Sequence, residues 1–151
     1  MIIIAHRANL HGPDPENENS PSKIREAISL GYHVEVDVWY INGDLFLGHD
    51  DPVHKVQREL LEDDKVWCHA KNIKALEYLV GNGLHCFWHQ SDDCTLTTRG
   101  YLWTYPGRQT TPKSVCVMPE EFDPPLEDMA NCAAVCTDYP EKYKMILSEE
   151  M

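Results

Sequence analysis

The chain has 151 residues and carries 25 Asp and Glu against 13 Lys and Arg, a formal net charge of −12. That length suits one domain over residues 1–151, with enough chain to bury a core. The acidic balance argues against a nucleic-acid partner or an anionic membrane surface, since both need clustered positive charge. It leaves room for a phosphate-bearing small molecule, because a bound metal reverses the local field.

The first apolar run, Met1 to Ala5, falls far short of the roughly 20 residues that span a membrane, and no signal-peptide pattern precedes the first polar residues. No membrane span and a cytoplasmic location are therefore expected. The six cysteines lack a Cys-x-x-Cys pair, and several sit in apolar strand-like runs such as Val115–Val117. Buried free thiols are expected rather than a disulfide framework or a zinc ribbon.

Eight short apolar, β-branched or aromatic runs predict strands: 2–5, 34–41, 45–47, 66–70, 84–88, 101–105, 115–118 and 133–137. A loop rich in Pro, Asn and acids, 12–21, leads into a helix. Ser20 or Ser22 is its cap, and its stripe is Ile24, Ala27, Ile28 and Leu30. Asn42-Gly43-Asp44 predicts a hairpin turn. Val53, Val56, Leu60 and Leu61 predict a second helix, and Ile73, Leu76, Leu79 and Val80 a third, ended by Gly81 and Gly83. The segments 92–100 and 106–114 are too short and too rich in Thr and Pro for helices. Pro140 opens a last helix through Tyr143, Ile146 and Leu147.

Strand–helix alternation with eight strands predicts an α/β fold, a compact (β/α)8 TIM-type barrel with several outer helices missing or shortened. Such barrels typically need about 250 residues. The strands left bare are then expected to be covered in a homo-oligomer, with Trp39, Trp88 and Trp103 as apolar candidates for that interface.

Polar residues gather at the C-terminal ends of these strands: His6-Arg7, Glu35-x-Asp37, His49-Asp50, His69 with Lys71, His89-Gln90, Thr104, Glu120 and Thr137-Asp138. Active sites of barrel enzymes are built at that face. Glu35 and Asp37, two apart on a strand, point to one face, and a divalent cation would neutralise their mutual repulsion. The opposite reading is a solvent face for the two acids, with Val34, Val36 and Val38 turned to the core. Free histidine titrates near neutrality, so His6 and His49 are candidates for acid/base work. Arg7 and Lys71 are placed to hold a phosphate or carboxylate, or alternatively to pair with Glu35, Asp37 or Asp138.

Ordered along the chain, Ile4-Ala5-His6-Arg7, Pro15-Glu16-Asn17-Glu18-Asn19, Glu35-x-Asp37, His49-Asp50, Trp103-Thr104 and Thr137-Asp138-Tyr139-Pro140 resemble the motifs of the glycerophosphodiester phosphodiesterase family. The resemblance implies a phosphodiesterase barrel, related to the phosphatidylinositol-phospholipase-C type, acting on small phosphodiesters with a divalent cation. His6 and His49 would be the catalytic pair and Glu35 and Asp37 metal ligands. Arg7 and Lys71 would hold phosphate, with Glu18, Asn19 and Asp138 in support. The family's fourth-strand acid is replaced here by His69. A histidine ligand adds no negative charge, so Mn²⁺ or Zn²⁺ joins Mg²⁺ and Ca²⁺ as the expected ion. The alternative is a non-catalytic protein that binds a metal or phosphorylated ligand at the same acidic pocket.

Overall fold

The computed structural model describes residues 1–149. The elements run β1 (Ile2–His6), α1 (Pro21–Ser29), β2 (His33–Ile41), β3 (Asp44–Leu47), β4 (His54–Val56), α2 (Arg58–Leu61), β5 (Val66–Ala70) and α3 (Ile73–Gly81). They continue as β6 (Cys86–Phe87), β7 (Cys94–Leu96), β8 (Leu102–Thr104), β9 (Ser114–Val117), a 3-10 turn (Pro119–Glu121), α4 (Leu126–Ala130), β10 (Ala134–Thr137) and α5 (Pro140–Glu149).

Seven strands lie parallel in the order β6-β5-β2-β1-β10-β9-β8, and β7 adds antiparallel to β8. The long strand β2 outruns β1. Its first half pairs with β1 and its second half with β3, which carries β4 antiparallel beyond it. Val38 pairs with Leu47 of β3 on one edge and Ala70 of β5 on the other.

Among the described residues this is a curled, open half-barrel of mixed strand direction with five short helices, and it corrects the expectation of a (β/α)8 barrel. The reason is economy of chain. The segment between β6 and β8 is spent on an antiparallel hairpin strand instead of a crossover helix, and β6 is only two residues long. No strand ladder joins β6 to β7 or β8 among the described residues. Threonines bridge the seam: the Thr98 N–H donates to the Cys86 carbonyl (2.9 Å), its Oγ1 accepts from the Cys86 N–H (3.0 Å) and donates to the Leu84 carbonyl (3.3 Å), and Thr97 Oγ1 bonds His85 Nε2 (2.8 Å).

Two apolar groups cover the two faces of the sheet. The concave interior is filled by Ile4, Trp67, Phe87, Trp103, Val115 and Cys136. The outer face packs Val34, Val36 and Val38 against Ile24, Ala27, Ala75 and Leu79 of α1 and α3. Burial of both faces explains why these strands read as near-continuous apolar runs. Trp103 therefore fills the interior rather than an outer surface, and Trp39 donates from Nε1 to the Gly48 carbonyl (2.7 Å).

Ser20 caps α1 by accepting from the Lys23 N–H, and Pro21 sits in the first turn. Asn42 and Gly43, both at positive φ, make the expected hairpin turn. The predicted helix from Val53 is corrected. Residues 54–56 pair with β3, and only Arg58–Leu61 turn helical. All six cysteines are free, five of them buried. No helix among the described residues is long and apolar enough to cross a membrane.

Candidate metal and acid/base site

The parallel strands β1, β2, β5 and β10 end at one rim, and the polar residues sit there. On β2 the valines turn to the helices, so alternation turns Glu35 and Asp37 to the concave side. Both are buried, at 2% and 1% exposure. The register pairs Asp37 with His69 on β5. His69 Nδ1 lies 3.3 Å from Asp37 Oδ1 and 3.7 Å from Glu35 Oε2. One ligand atom from each of Glu35, Asp37 and His69 falls within 4.8 Å of the others, a spacing that could hold a metal ion. The two acids thus face inward, away from solvent.

Two features of the donor set fit a cation. Asp37 Oδ1 is buried and has no hydrogen-bond partner, which is costly for a carboxylate oxygen unless a positive charge serves it. His69 Nε2 lies 2.9 Å from the His89 carbonyl, which can only accept, so Nε2 carries the proton. In neutral His69 the Nδ1 lone pair is then aimed at the two carboxylates, as in a metal-ligating histidine oriented by its outer bond. Without a cation the histidine itself must supply the charge. Burial pulls its pKa down, but the Asp37 and Glu35 carboxylates close beside it outweigh this and push it up to about 9.

Asp37 is held from several sides. Asn19 donates from Nδ2 to Oδ2 and accepts from the Asp37 N–H, both at 2.9 Å. Asn19 reaches this position in a left-handed conformation, at φ 63°. Arg7 Nε and His49 Nδ1 lie 3.8 and 3.6 Å from Asp37 Oδ2. Burial would raise the Asp37 pKa, but the imidazoles of His49 and His69 close beside it hold it well below the usual carboxylate range.

At the end of β1, Arg7 and Ala8 both take left-handed φ, 55° and 62°. Such backbone strain concentrates at functional sites. Here it turns the Arg7 N–H onto Glu35 Oε1 (3.2 Å), while the guanidinium reaches Glu18 (3.3 Å). Arg7 Nε is buried without a hydrogen-bond partner.

His6 Nδ1 lies 2.9 Å from Asp138 Oδ1. Burial opposes charge on His6, but the bond to Asp138 prevails and its pKa is raised. Asp138, opposed by burial but bonded to His6, is lowered. An ionised Asp138 only accepts, so His6 Nδ1 carries the hydrogen and Nε2 is the reactive nitrogen.

His49 follows Gly48, where a Cβ would lie 1.9 Å from the Asp51 carbonyl, so only glycine fits. A cleft of about 210 Å³, lined by Glu18, Gly48, His49, Asp50 and His54, opens beside it.

The structure thus brings Glu35, Asp37, His69, His49, Asn19, Arg7 and Glu18 into one network, with His6 and Asp138 paired on the adjoining strands. Lys71 follows His69 by two residues, and its side chain makes no ion pair among the described residues; its backbone N–H donates to the Val38 carbonyl. Two contributors were missed by sequence reasoning. Asn9 donates to Asp138 Oδ1 (3.0 Å), and the His89 carbonyl fixes the His69 tautomer. Asn9 lies three residues beyond His6 in a turn, and a backbone carbonyl leaves no mark in residue type. A larger cavity of about 450 Å³, lined by Cys116, Phe122, Pro125 and Met129, includes none of these residues. No family model, no curated protein and no solved structure matches this chain.

Proposed function

We propose that this protein is a metal-dependent hydrolase of small phosphodiesters, of the glycerophosphodiester kind that its motifs resemble. The observation that carries the reading is the convergence of Glu35, Asp37 and His69 with an unserved buried carboxylate oxygen, beside a histidine held by an aspartate.

Glu35, Asp37 and His69 would hold the ion, and Mn²⁺ or Zn²⁺ suits two carboxylates and an imidazole better than Ca²⁺ does. When bound, the ion supplies positive charge to the phosphoryl oxygens. The chain's own groups supply the rest. Arg7, whose guanidinium lies beside Glu18 and Asp37, would offer its partly exposed cation to a phosphoryl oxygen. Lys71, two residues after His69 in the chain, would add a second cation. His6 Nε2 takes the proton of an attacking substrate hydroxyl as its oxygen bonds to phosphorus. His49 returns a proton to the leaving alcohol as the old P–O bond breaks. A cyclic diester results, and water opens it by the same route in reverse roles. The cleft beside His49 is of a size for a small leaving alcohol.

The test is alcohol release from a panel of small phosphodiesters with Mg²⁺, Mn²⁺ or Zn²⁺. His6→Ala and His49→Ala are each expected to lower turnover by roughly 10²–10⁴-fold with folding retained. Wild-type turnover in both variants overturns the assignment. Metal binding without turnover across the panel favours the alternative, a binding protein.

A further inference from the structure

We infer that Glu120 is a positioning residue for His6, acting through Asp138; its catalytic meaning rests on the proposed function above. Glu120 lies in the 3-10 turn after β9. Met118, at φ 53°, turns the chain there, and its N–H donates to the Cys136 carbonyl on β10 (2.7 Å). That turn lays the Glu120 side chain along the end of β10, where both carboxylate oxygens are used. Oε1 accepts from Thr137 Oγ1 at 2.7 Å, and Oε2 accepts from the Asp138 N–H at 2.9 Å.

Asp138 is consequently gripped at three points. Its N–H is held by Glu120, its carbonyl accepts from the Gly12 N–H (2.8 Å), and its Oδ1 accepts from Asn9 Nδ2 (3.0 Å). The remaining bond on Oδ1 goes to His6 Nδ1. Placing a second carboxylate beside Asp138 costs electrostatic repulsion, and the stable alternative of a neutral acceptor is available to any chain. Glu120 is distinguished by offering two acceptor oxygens in a fixed fork to a hydroxyl and an amide at once, with charge-assisted bonds. A glutamine can keep both contacts, its oxygen on the Asp138 N–H and its amide N–H donating to Thr137 Oγ1, so the variant that removes the fork is alanine. In Glu120→Ala both Thr137 O–H and Asp138 N–H lose their acceptor, and the Asp138 carboxylate loosens its hold on the His6 tautomer. Outer groups of this kind typically change function by about 10- to 100-fold.

The test reads the His6 tautomer directly, by long-range ¹H–¹⁵N spectra of histidine-labelled protein without metal or substrate, at a pH where His6 is neutral. In the wild type His6 is expected wholly as Nδ1–H. Glu120→Ala is expected to give a mixture with Nε2–H, and Asp138→Asn a larger change. An unchanged His6 tautomer in a folded Glu120→Ala protein overturns the inference. If that variant does not fold, Thr137→Val, close in shape, decides by the same spectra: a partial shift supports the inference and an unchanged tautomer overturns it. Because no turnover is measured, failure of the phosphodiesterase reading is seen separately, in the diester panel.

Discussion

The two halves of the sheet are built differently. In the half formed by β10, β1, β2 and β5, ladders are long, and every residue of β2 is paired on at least one edge. Its rim carries the carboxylates and histidines. In the half formed by β6, β7 and β8, strands are two or three residues long. There order comes from interior rings: Trp67 lies 4.2 Å from His85, 4.9 Å from Tyr101 and 6.0 Å from Trp103, and Phe87 stacks on Trp103 at 4.4 Å. Burying charged and polar groups is costly unless the backbone around them is fixed, so the polar site sits where hydrogen bonding is densest. The other half supplies shape by apolar packing.

The contrast can be broken most severely at Trp67, on β5 in one half with its ring in the other. Trp67→Ala is expected to cost roughly 3–5 kcal/mol, from lost transfer energy and the cavity left behind. Chemical denaturation measures it, and a loss below 1 kcal/mol would remove the interior rings as the support of that half. Asp37→Asn probes the polar half. Manganese affinity by calorimetry is expected to fall by roughly 100-fold or more with the fold intact. Unchanged affinity would place the ion elsewhere.

His85 sharpens the comparison through pH. Burial first, then the charges of Arg99 and His33, hold its pKa down to about 4, and it bonds to Thr97 Oγ1 at 2.8 Å. Between about 4 and 6.5 the unfolded chain binds this proton and the folded one does not. Stability is therefore expected to fall as pH drops from 6.5 toward 4. His85→Gln should flatten that limb of melting temperature against pH; an unchanged slope would assign it to other groups. The smallest effect is expected at Leu96 on the outer strand β7, 65% exposed, where substitution by Ala should stay within about 0.5 kcal/mol.

Much of the site could be read from residue order alone. Glu35 and Asp37 share a face because strands alternate, but that this face is the buried concave one, with the valines on the helix side, is settled only by the sheet. The hairpin at Asn42-Gly43 and the cap at Ser20 are local chemistry that a short window contains. Closure of the sheet is not. It depends on whether the residues around β6 find a partner on β8, a pairing fixed by how far the chain reaches. Val53, Val56, Leu60 and Leu61 have helical spacing, yet β3 offers an open edge that takes 54–56 as a strand. The grip of Glu120 on Asp138 needed the left-handed turn at Met118, which residue type does not announce.

The seam at Thr98 has a consequence for motion. Elsewhere, separating two parallel strands breaks a ladder along their shared length. Between β6 and the segment after β7, the backbone around β6 is held by a few bonds to Thr98, of which only one is backbone to backbone among the described residues. The molecule has a place where it can breathe without unfolding, and amide exchange at Cys86 and Thr98 should run ahead of that at Val36 and Cys136. Such an opening would expose the aromatic interior while β1, β2 and β10 stay joined, so the rim that carries the carboxylates can outlast a transient parting of the fold.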